Sequence, residues 1–136
     1  MTDLPAALYE RTDDGRFAAT ELTRGPWSRE HQHAGPPAAL LAHFVETEGR
    51  QLARLSYDIL GPVPIAPLAV TSRVLRPGKR VEQLEAELSD DERVLMRATA
   101  WRFRCSYVKK LMGRGPVCAP GWAVGGGARC GGRGGA

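Results

Sequence analysis

The sequence predicts an α+β fold in which one long helix packs against a curled antiparallel sheet. The first observation is the segment 38–45, which is apolar on almost every side of a helix and follows the polar segment 31–37 directly. Such a helix must be buried on nearly all sides. The second is that apolar residues recur at every other position through much of 51–103, as in half-buried strands. The short connections between these strands favour antiparallel pairing, because parallel neighbours need a long crossover.

The elements that precede the sheet follow from turn and cap signals. Residues 8–11 and 16–20 flank the polar, glycine-ended segment 12–15, a pattern typical of a β-hairpin. The helix is expected from about Pro36 to about Glu48, because prolines suit a first helical turn and Gly49 suits a helix stop. No other segment predicts a helix convincingly.

Four strands are predicted after the helix. Polar turns at 76–79 and 89–92 separate the last three of them, and 94–103 forms the fourth. Period-two alternation gives the inward-facing positions of the first three strands, which are Ala53, Leu55, Tyr57 and Ile59, then Leu68, Val70, Ser72 and Val74, then Leu84, Ala86 and Leu88.

Charge and glycine content divide the chain in two. The net charge is +4, yet residues 1–104 hold 14 Lys and Arg against 15 Asp and Glu, and 105–136 hold five basic residues and no acid. Ten of the 16 glycines fall in 113–136, which cannot bury enough surface to offset its chain entropy. We therefore expect a folded domain over 1–104 and a disordered low-complexity tail over 105–136. Because the basic excess belongs to the tail, nucleic acid is not an expected partner.

Cysteine and hydropathy patterns indicate the compartment. The three cysteines, Cys105, Cys118 and Cys130, are odd in number and match no CxxC or zinc spacing. A reducing cytoplasm is the simplest setting for them. There is no charged-then-apolar leader and no apolar run near 18 residues, so neither export nor a membrane span is expected. No metal site is expected either, because His31 and His33 lack further ligands in the folded part.

Five segments, taken in order, resemble the N-terminal repeat of actinobacterial-type acyl-CoA thioesterases that contain two tandem hotdog domains. They are LTRGPW at 22–27, HQHAGPPAALL at 31–41, LGPVP at 60–64, VLRPGKR at 74–80 and ATAW at 98–101. The resemblance covers roughly residues 8–104. It implies a single hotdog fold, hydrolysis of acyl-CoA thioesters in fatty acid metabolism, and no cofactor. An isolated hotdog leaves a sheet edge unpaired and a ligand cleft half built, so either a homodimer or an unstable fragment is expected.

The sequence departs from these relatives after about Arg104, where a second hotdog would begin. A reading-frame shift or truncation is the leading hypothesis, and translating all three frames past codon 104 tests it. A flexible Arg/Gly tail that binds RNA is the alternative. In the relatives the catalytic carboxylate comes chiefly from the second repeat, and the position that corresponds here, about Arg54, cannot act as a base. The chain is therefore either an acyl-CoA thioesterase or a catalytically incomplete acyl-CoA binding or dimerisation module.

Thioester hydrolysis requires a polarised carbonyl and an activated water. A helix N-terminus can stabilise the developing oxyanion through its backbone N–H groups. Pro36 and Pro37 have none, so the expected donors are those of Gly35, Ala38 and Ala39. The alternative is that Gly-Pro-Pro simply starts a buried helix.

His33 is the expected group for orienting or deprotonating the water, because histidine suits acid–base work near neutral pH. A loop-anchoring hydrogen bond is its alternative role. His31 is the weaker candidate, and His43 is expected to be a hydrogen-bonded core residue. Three carboxylates are expected to be solvated rather than catalytic, namely Glu46, Glu48 and Asp58.

Two further groups of residues are expected to bind the acyl chain and the phosphates of the substrate. The acyl chain is expected to lie in an apolar channel beside Leu40, Leu41 and Phe44. The turn that carries Arg76, Lys79 and Arg80 is expected to bind the phosphates of coenzyme A. Ordinary surface charge is the alternative interpretation of this turn.

Overall fold

The computed structural model describes residues 4–105 as one antiparallel sheet with a helix on one face. The elements in chain order are β1 (Tyr9–Arg11), β2 (Phe17–Ala19), a 3₁₀ turn (Glu21–Thr23), α1 (Gly35–Val45), β3 (Arg50–Ile59), β4 (Pro67–Arg76), β5 (Val81–Ser89) and β6 (Val94–Arg104). The strand order is β1-β2-β4-β5-β6-β3. The predicted hairpin, helix and four later strands are all present. The predicted tail, 105–136, lies outside the described residues apart from Cys105.

The core lies between α1 and the inner face of β5 and β6. Leu41 and Val45 are fully buried, and they join a cluster with Leu84, Ala86 and Leu88 of β5 and Met96, Ala98 and Ala100 of β6. The opposite side of the helix is exposed at Gly35, Ala39 and His43. The helix is therefore not buried on nearly every side, and the expectation that His43 is a core residue is wrong.

The helix ends earlier than the sequence predicts. Its last residue is Val45, and Glu46 already has extended backbone angles. Gly49 has a φ of +78°, which only glycine adopts readily, and it lies in the connection to β3 instead of at the helix end. The helix is thus 11 residues long and, at 1.5 Å per residue, spans roughly 16 Å.

A β-bulge changes which side chains of β3 face the core. Leu52 pairs with Arg102 while Arg54 pairs with the adjacent Trp101, so Ala53 is an extra residue in the strand. Leu52, Leu55 and Tyr57 pack against the core, whereas Ala53 is exposed. The expectation that Ala53 faces inward is wrong, because strict alternation does not survive a bulge. Ile59, at the end of the strand, is 60% exposed and also departs from its expected position.

The helix covers only the first half of β4. Leu68 is fully buried and Val70 packs against the core, but Ser72 and Val74 are exposed. Because α1 lies mainly over β5 and β6, the inward-facing alternation of β4 continues past the area that the helix covers. Within residues 4–105, no helix has both the length and the apolar character needed to cross a membrane.

Candidate functional site

The histidine segment is held between two neighbouring stretches of backbone. The N–H of His33 donates to the carbonyl oxygen of Thr23 at 2.7 Å, and the N–H of Gly25 donates to the carbonyl oxygen of His31 at 2.9 Å. On the other side, the N–H of Gln32 donates to the carbonyl oxygen of Val63 at 2.8 Å. A Cβ at position 25 would lie 3.2 to 3.3 Å from the backbone of residues 32 and 33, so the small size of Gly25 permits this close approach.

Gln32 anchors the segment from inside the protein. Its side chain is buried, its Oε1 accepts a hydrogen bond from the Tyr9 hydroxyl, and its Nε2 donates to the carbonyl oxygen of Pro64 at 2.7 Å. Burial raises the pKa of Tyr9 far above its usual range, so the phenol stays protonated and can donate. Sequence reasoning missed both residues, because a glutamine between two histidines gives no sign of burial.

His31 has a local role. Its Nδ1 lies 2.9 Å from the Ser28 Oγ, which also accepts a hydrogen bond from the N–H of Glu30 at 3.1 Å. These contacts close a short loop just before the segment that leads to α1. The weaker of the two histidine candidates therefore stabilises the loop.

The first turn of α1 offers fewer free donors than expected. The N–H of Ala38 donates to the carbonyl oxygen of Ala34 at 3.2 Å, so it is not free to bind a ligand. Ala39 lies one residue further into the helix, where the regular pattern pairs its N–H with Gly35. The expectation that Ala38 and Ala39 supply oxyanion donors is therefore wrong. Of the three expected donors, only the N–H of Gly35 lies outside the helical hydrogen-bond pattern.

The N–H of Gly35 is engaged by a side chain. It donates to Nδ1 of His33 at 3.0 Å. A Cβ on Gly35 would lie 3.2 Å from that same nitrogen, so glycine leaves room for the imidazole. Trp27, which is 72% exposed, lies beside the His33 ring, with ring centroids 5.7 Å apart and planes 31° apart. Trp27, His33 and Gly35 thus form an exposed polar and aromatic cluster at the start of α1, which we call the helix-start cluster.

The three apolar residues of the expected acyl channel differ in exposure. Leu41 has no exposed surface, so its assignment to an open channel is wrong and it belongs to the core. Leu40 is 9% exposed, and Phe44 is half-buried with its ring edge-to-face against Phe17 at 5.4 Å. Only Leu40 and Phe44 retain surface that a ligand could contact.

The expected phosphate-binding turn lies at the other end of the helix. Arg102, which pairs with Glu82 at the start of β5, also donates to the carbonyl oxygen of Val45, the last helical residue. The β4–β5 turn with Arg76, Lys79 and Arg80 is therefore close to the C-terminus of α1, whereas the helix-start cluster lies at the N-terminus. Gly78 is required in this turn, because a Cβ there would lie 2.0 Å from the carbonyl oxygen of Val81. Arg76 lies over the Trp101 ring at 6.0 Å.

None of the three candidate carboxylates makes a hydrogen bond or ion pair with the helix-start cluster in the part of the chain that the structure describes. Glu46 and Glu48 follow the C-terminal end of α1, and Asp58 is exposed on the outer face of β3, where it pairs with Arg97. Burial raises the pKa of Glu46, and the nearby His43 partly opposes that shift. Among the residues that the structure describes, no group of three His, Cys, Asp or Glu could hold a metal ion.

Comparison with known proteins assigns the family. Residues 23–103 match the family model of the acyl-CoA thioesterase N-terminal domain, which covers more than half of the chain. The chain belongs to this family. The fold of this acyl-CoA thioesterase N-terminal domain also recurs in solved structures. No curated protein matches the sequence.

Three of these structures are instructive. A phenylacetic acid degradation-related protein of Ralstonia eutropha is 21% identical, with a TM-score of 0.55 over 70% of this chain and 82% of its own. A Streptococcus mutans protein bound to acetyl-CoA is 11% identical, with a TM-score of 0.59 over 65% and 77%. A Bacillus halodurans protein with CoA is 18% identical, with a TM-score of 0.54 over 68% and 70%. At these identities the likeness concerns the fold, and it confirms the predicted single hotdog.

Proposed function

We propose that this domain binds acyl-CoA and hydrolyses its thioester, so that water and acyl-CoA give a carboxylic acid and the free thiol of CoA. The observation that carries the proposal is the helix-start cluster, in which an exposed imidazole accepts a hydrogen bond from the first backbone N–H of α1. The family match supports the thioester chemistry. The neighbours solved with CoA and acetyl-CoA support the ligand class.

The reaction needs stabilisation of the negative charge that develops on the carbonyl oxygen. The N-terminus of α1 carries the positive end of the helix dipole, and the polar groups of His33 and Gly35 lie there. We assign the thioester carbonyl to this cluster and the acyl chain to the exposed part of Phe44, next to the nearly buried Leu40. The cluster polarises the carbonyl, and the hydrolysis ends with cleavage of the carbon–sulfur bond.

The phosphates of CoA are assigned to the β4–β5 turn. Arg76 and Lys79 are exposed there, roughly one helix length from the carbonyl position. CoA is a long ligand with its phosphates at the end remote from the thioester, so the separation fits an extended molecule. Replacing Arg76 and Lys79 with Ser is expected to raise KM with little change in kcat. Arg93→Ser, an exposed cation on the β5–β6 turn, is the matched control.

A homodimer is proposed through the free edge of the sheet. Among the described strands, β3 pairs with β6 alone, and Ile59 at its end and the following Leu60 are 60% and 55% exposed. Pairing with a second β3 would complete this edge and bury both side chains. Ile59→Glu with Leu60→Glu is expected to yield a monomer by light scattering. Leu75→Glu, at an exposed residue of β4, is the control.

A second candidate function is an acyl-CoA binding or dimerisation module without turnover. The observation that favours it is that Glu46 and Glu48 follow the C-terminal end of α1 and that Asp58, on β3, makes no hydrogen bond or ion pair with the helix-start cluster among the described residues. The family's description as an N-terminal domain supports the further proposal that this hotdog is the first of two repeats, the second supplying the group that activates water. Both functions fit cytoplasmic fatty acid metabolism.

Thiol release from a panel of acyl-CoA chain lengths distinguishes the two functions. The purified 136-residue protein is compared with His33→Ala, and with His43→Ala as the control for loss of another exposed histidine, one that lies on α1. Release that His33→Ala abolishes and His43→Ala retains supports hydrolysis. Saturable acyl-CoA binding with no release contradicts hydrolysis and supports the binding module.

A further inference from the structure

We infer that His33 polarises the thioester carbonyl as a neutral hydrogen-bond donor, through its Nε2–H, and that the N–H of Gly35 fixes the ring in the form that can do so. The inference rests on the proposed function and names the atom that polarises the thioester carbonyl. It also replaces the role in water activation that the sequence predicts for His33.

The tautomer follows from a single contact. Nδ1 of His33 lies 3.0 Å from the backbone nitrogen of Gly35, whose hydrogen points at it. A ring nitrogen can accept such a hydrogen bond only when it carries no proton of its own. The neutral imidazole then carries its single proton on Nε2. In this form the outward-facing nitrogen donates a hydrogen bond and cannot take a proton from water.

Three features hold the ring in this position. The backbone N–H of His33 donates to the Thr23 carbonyl oxygen at 2.7 Å, which fixes the main chain. Trp27 lies beside the ring, and the missing Cβ of Gly35 leaves space for Nδ1. The side chain nevertheless remains exposed, so Nε2–H can reach a ligand. A preorganised donor of this kind avoids reorganisation when charge develops on the substrate.

The contact between Gly35 and His33 also extends the electrostatic effect of the α1 dipole to the substrate. The N–H of Gly35 belongs to the partly positive end of α1. Hydrogen bonds in a chain polarise one another, so donation into Nδ1 makes Nε2–H a stronger donor. When water adds to the carbonyl carbon, the oxygen gains negative charge and receives a stronger hydrogen bond from Nε2–H. The attacking water gives up one proton to solvent, the carbon–sulfur electron pair leaves with the sulfur as a thiolate, and the thiolate takes a proton from solvent. The imidazole keeps its own proton throughout.

Carbonyl polarisation can be measured without turnover. The probe is a ketone analogue of acetyl-CoA, with CH₂ in place of sulfur and a ¹³C label at the carbonyl, bound to the 136-residue protein. The ¹³C resonance is expected to move downfield on binding to the wild type. His33→Gln, which keeps an N–H donor, is expected to retain most of the displacement, and His33→Ala is expected to lose it.

Variants of Gly35 test the supporting contact. Gly35→Pro removes the N–H, and Gly35→Ala keeps it but places a Cβ 3.2 Å from Nδ1. Both variants are expected to reduce the downfield movement of the ¹³C resonance on binding. Circular dichroism checks that they are folded. If the ¹³C resonance moves fully in His33→Ala and only Gly35→Pro abolishes the movement, the Gly35 N–H donates directly to the carbonyl and the inference is wrong. It is also wrong if the analogue does not bind.

Kinetics separate this inference from the proposed function. For a donor, His33→Ala is expected to lower kcat/KM by about 10²-fold or more, and His33→Gln by about tenfold or less. For a general base, both variants would be equally inactive, and the inference would be overturned. A polarised carbonyl in the analogue together with no thiol release from any acyl-CoA supports the role of His33 and contradicts hydrolysis.

Discussion

The guanidinium of Arg102 donates a hydrogen bond to the carbonyl oxygen of Val45 at 2.8 Å, so a side chain from β6 caps the C-terminus of α1. Its Nε also pairs with Glu82, a buried carboxylate that lies 3.2 Å from Arg50. A cation at a helix C-terminus interacts favourably with the dipole and with carbonyls that have no helical partner. This network joins the helix to the end of the sheet remote from the helix-start cluster.

Removal of this cap is expected to destabilise the fold without removing the cluster. Arg102→Met leaves the buried Glu82 with one cation instead of two and the Val45 carbonyl without its donor. We expect the free energy of unfolding in urea to fall by about 3 kcal/mol. Arg93→Met, on an exposed turn, is the control and is expected to cost less than about 0.5 kcal/mol. Equal costs for the two variants would contradict the structural role of Arg102.

The buried contact between Tyr9 and Gln32 gives a second prediction. Tyr9→Phe removes the hydroxyl that donates to the Gln32 Oε1 and leaves that buried oxygen without this donor. We expect a loss of about 1–3 kcal/mol in the free energy of unfolding, together with weaker thiol release, because Gln32 anchors the segment that carries His33. Tyr57→Phe is the matched control. Its hydroxyl donates at 2.8 Å to the carbonyl oxygen of Ala38, which lies within the helix, so we expect a smaller cost.

If Tyr9→Phe leaves both stability and thiol release unchanged, the anchoring role of Gln32 is wrong. A loss of stability with unchanged kinetics would mean that the segment is held by its backbone contacts alone. Circular dichroism of both tyrosine variants establishes that the fold is intact before these comparisons are made.

The β4–β5 turn is expected to tolerate no side chain at Gly78. The Cβ of Gly78→Ala would lie 2.0 Å from the Val81 carbonyl oxygen, which belongs to rigid backbone, so the turn must move. Overpacking of this kind costs about 1–3 kcal/mol, measurable as a lower urea midpoint. Gly61→Ala is the control, since nothing lies within 4 Å of its Cβ and its φ is not positive. A midpoint for Gly78→Ala equal to that of Gly61→Ala would show that the turn has a different shape.

Local signals were sufficient to predict most of the fold. The polar, glycine-ended segment 12–15 predicted the hairpin, and the two prolines after Gly35 predicted where α1 begins. Alternation predicted the inward positions of β5, where Leu84, Ala86 and Leu88 are all buried. These features depend on residues close together in the chain, so a single sequence contains them.

The errors arose where distant residues decide the outcome. The bulge at Ala53 depends on how β3 aligns with β6, and the exposure of Ser72 and Val74 depends on how much of β4 the helix covers. In the candidate site, residue types indicated His33 and Gly35 as candidate residues, and the structure brings the two into contact. Their mutual hydrogen bond, which decides which nitrogen of the ring faces outward, requires the backbone path from 33 to 35.

The carboxyl group of Glu46 gives a prediction about pH. Burial raises its native pKa above the reference value of 4.5, and the nearby His43 opposes the shift. A raised native pKa means that folding favours the protonated form. The stability that Glu46 contributes is therefore present below pH 4.5 and is lost as the pH rises through the native pKa.

The glutamine of Glu46→Gln cannot ionise. The variant is therefore expected to gain stability relative to the wild type as the pH rises from 4 to 7. The change is expected just above pH 4.5. The effect is small because Glu46 is largely solvated. Urea unfolding of both proteins at the two pH values measures it. His43→Gln, which removes the opposing charge, is expected to steepen the pH dependence of the otherwise wild-type protein. A Glu46→Gln variant whose stability relative to the wild type is the same at both pH values would show that this carboxyl group has the same pKa in the folded and unfolded chain.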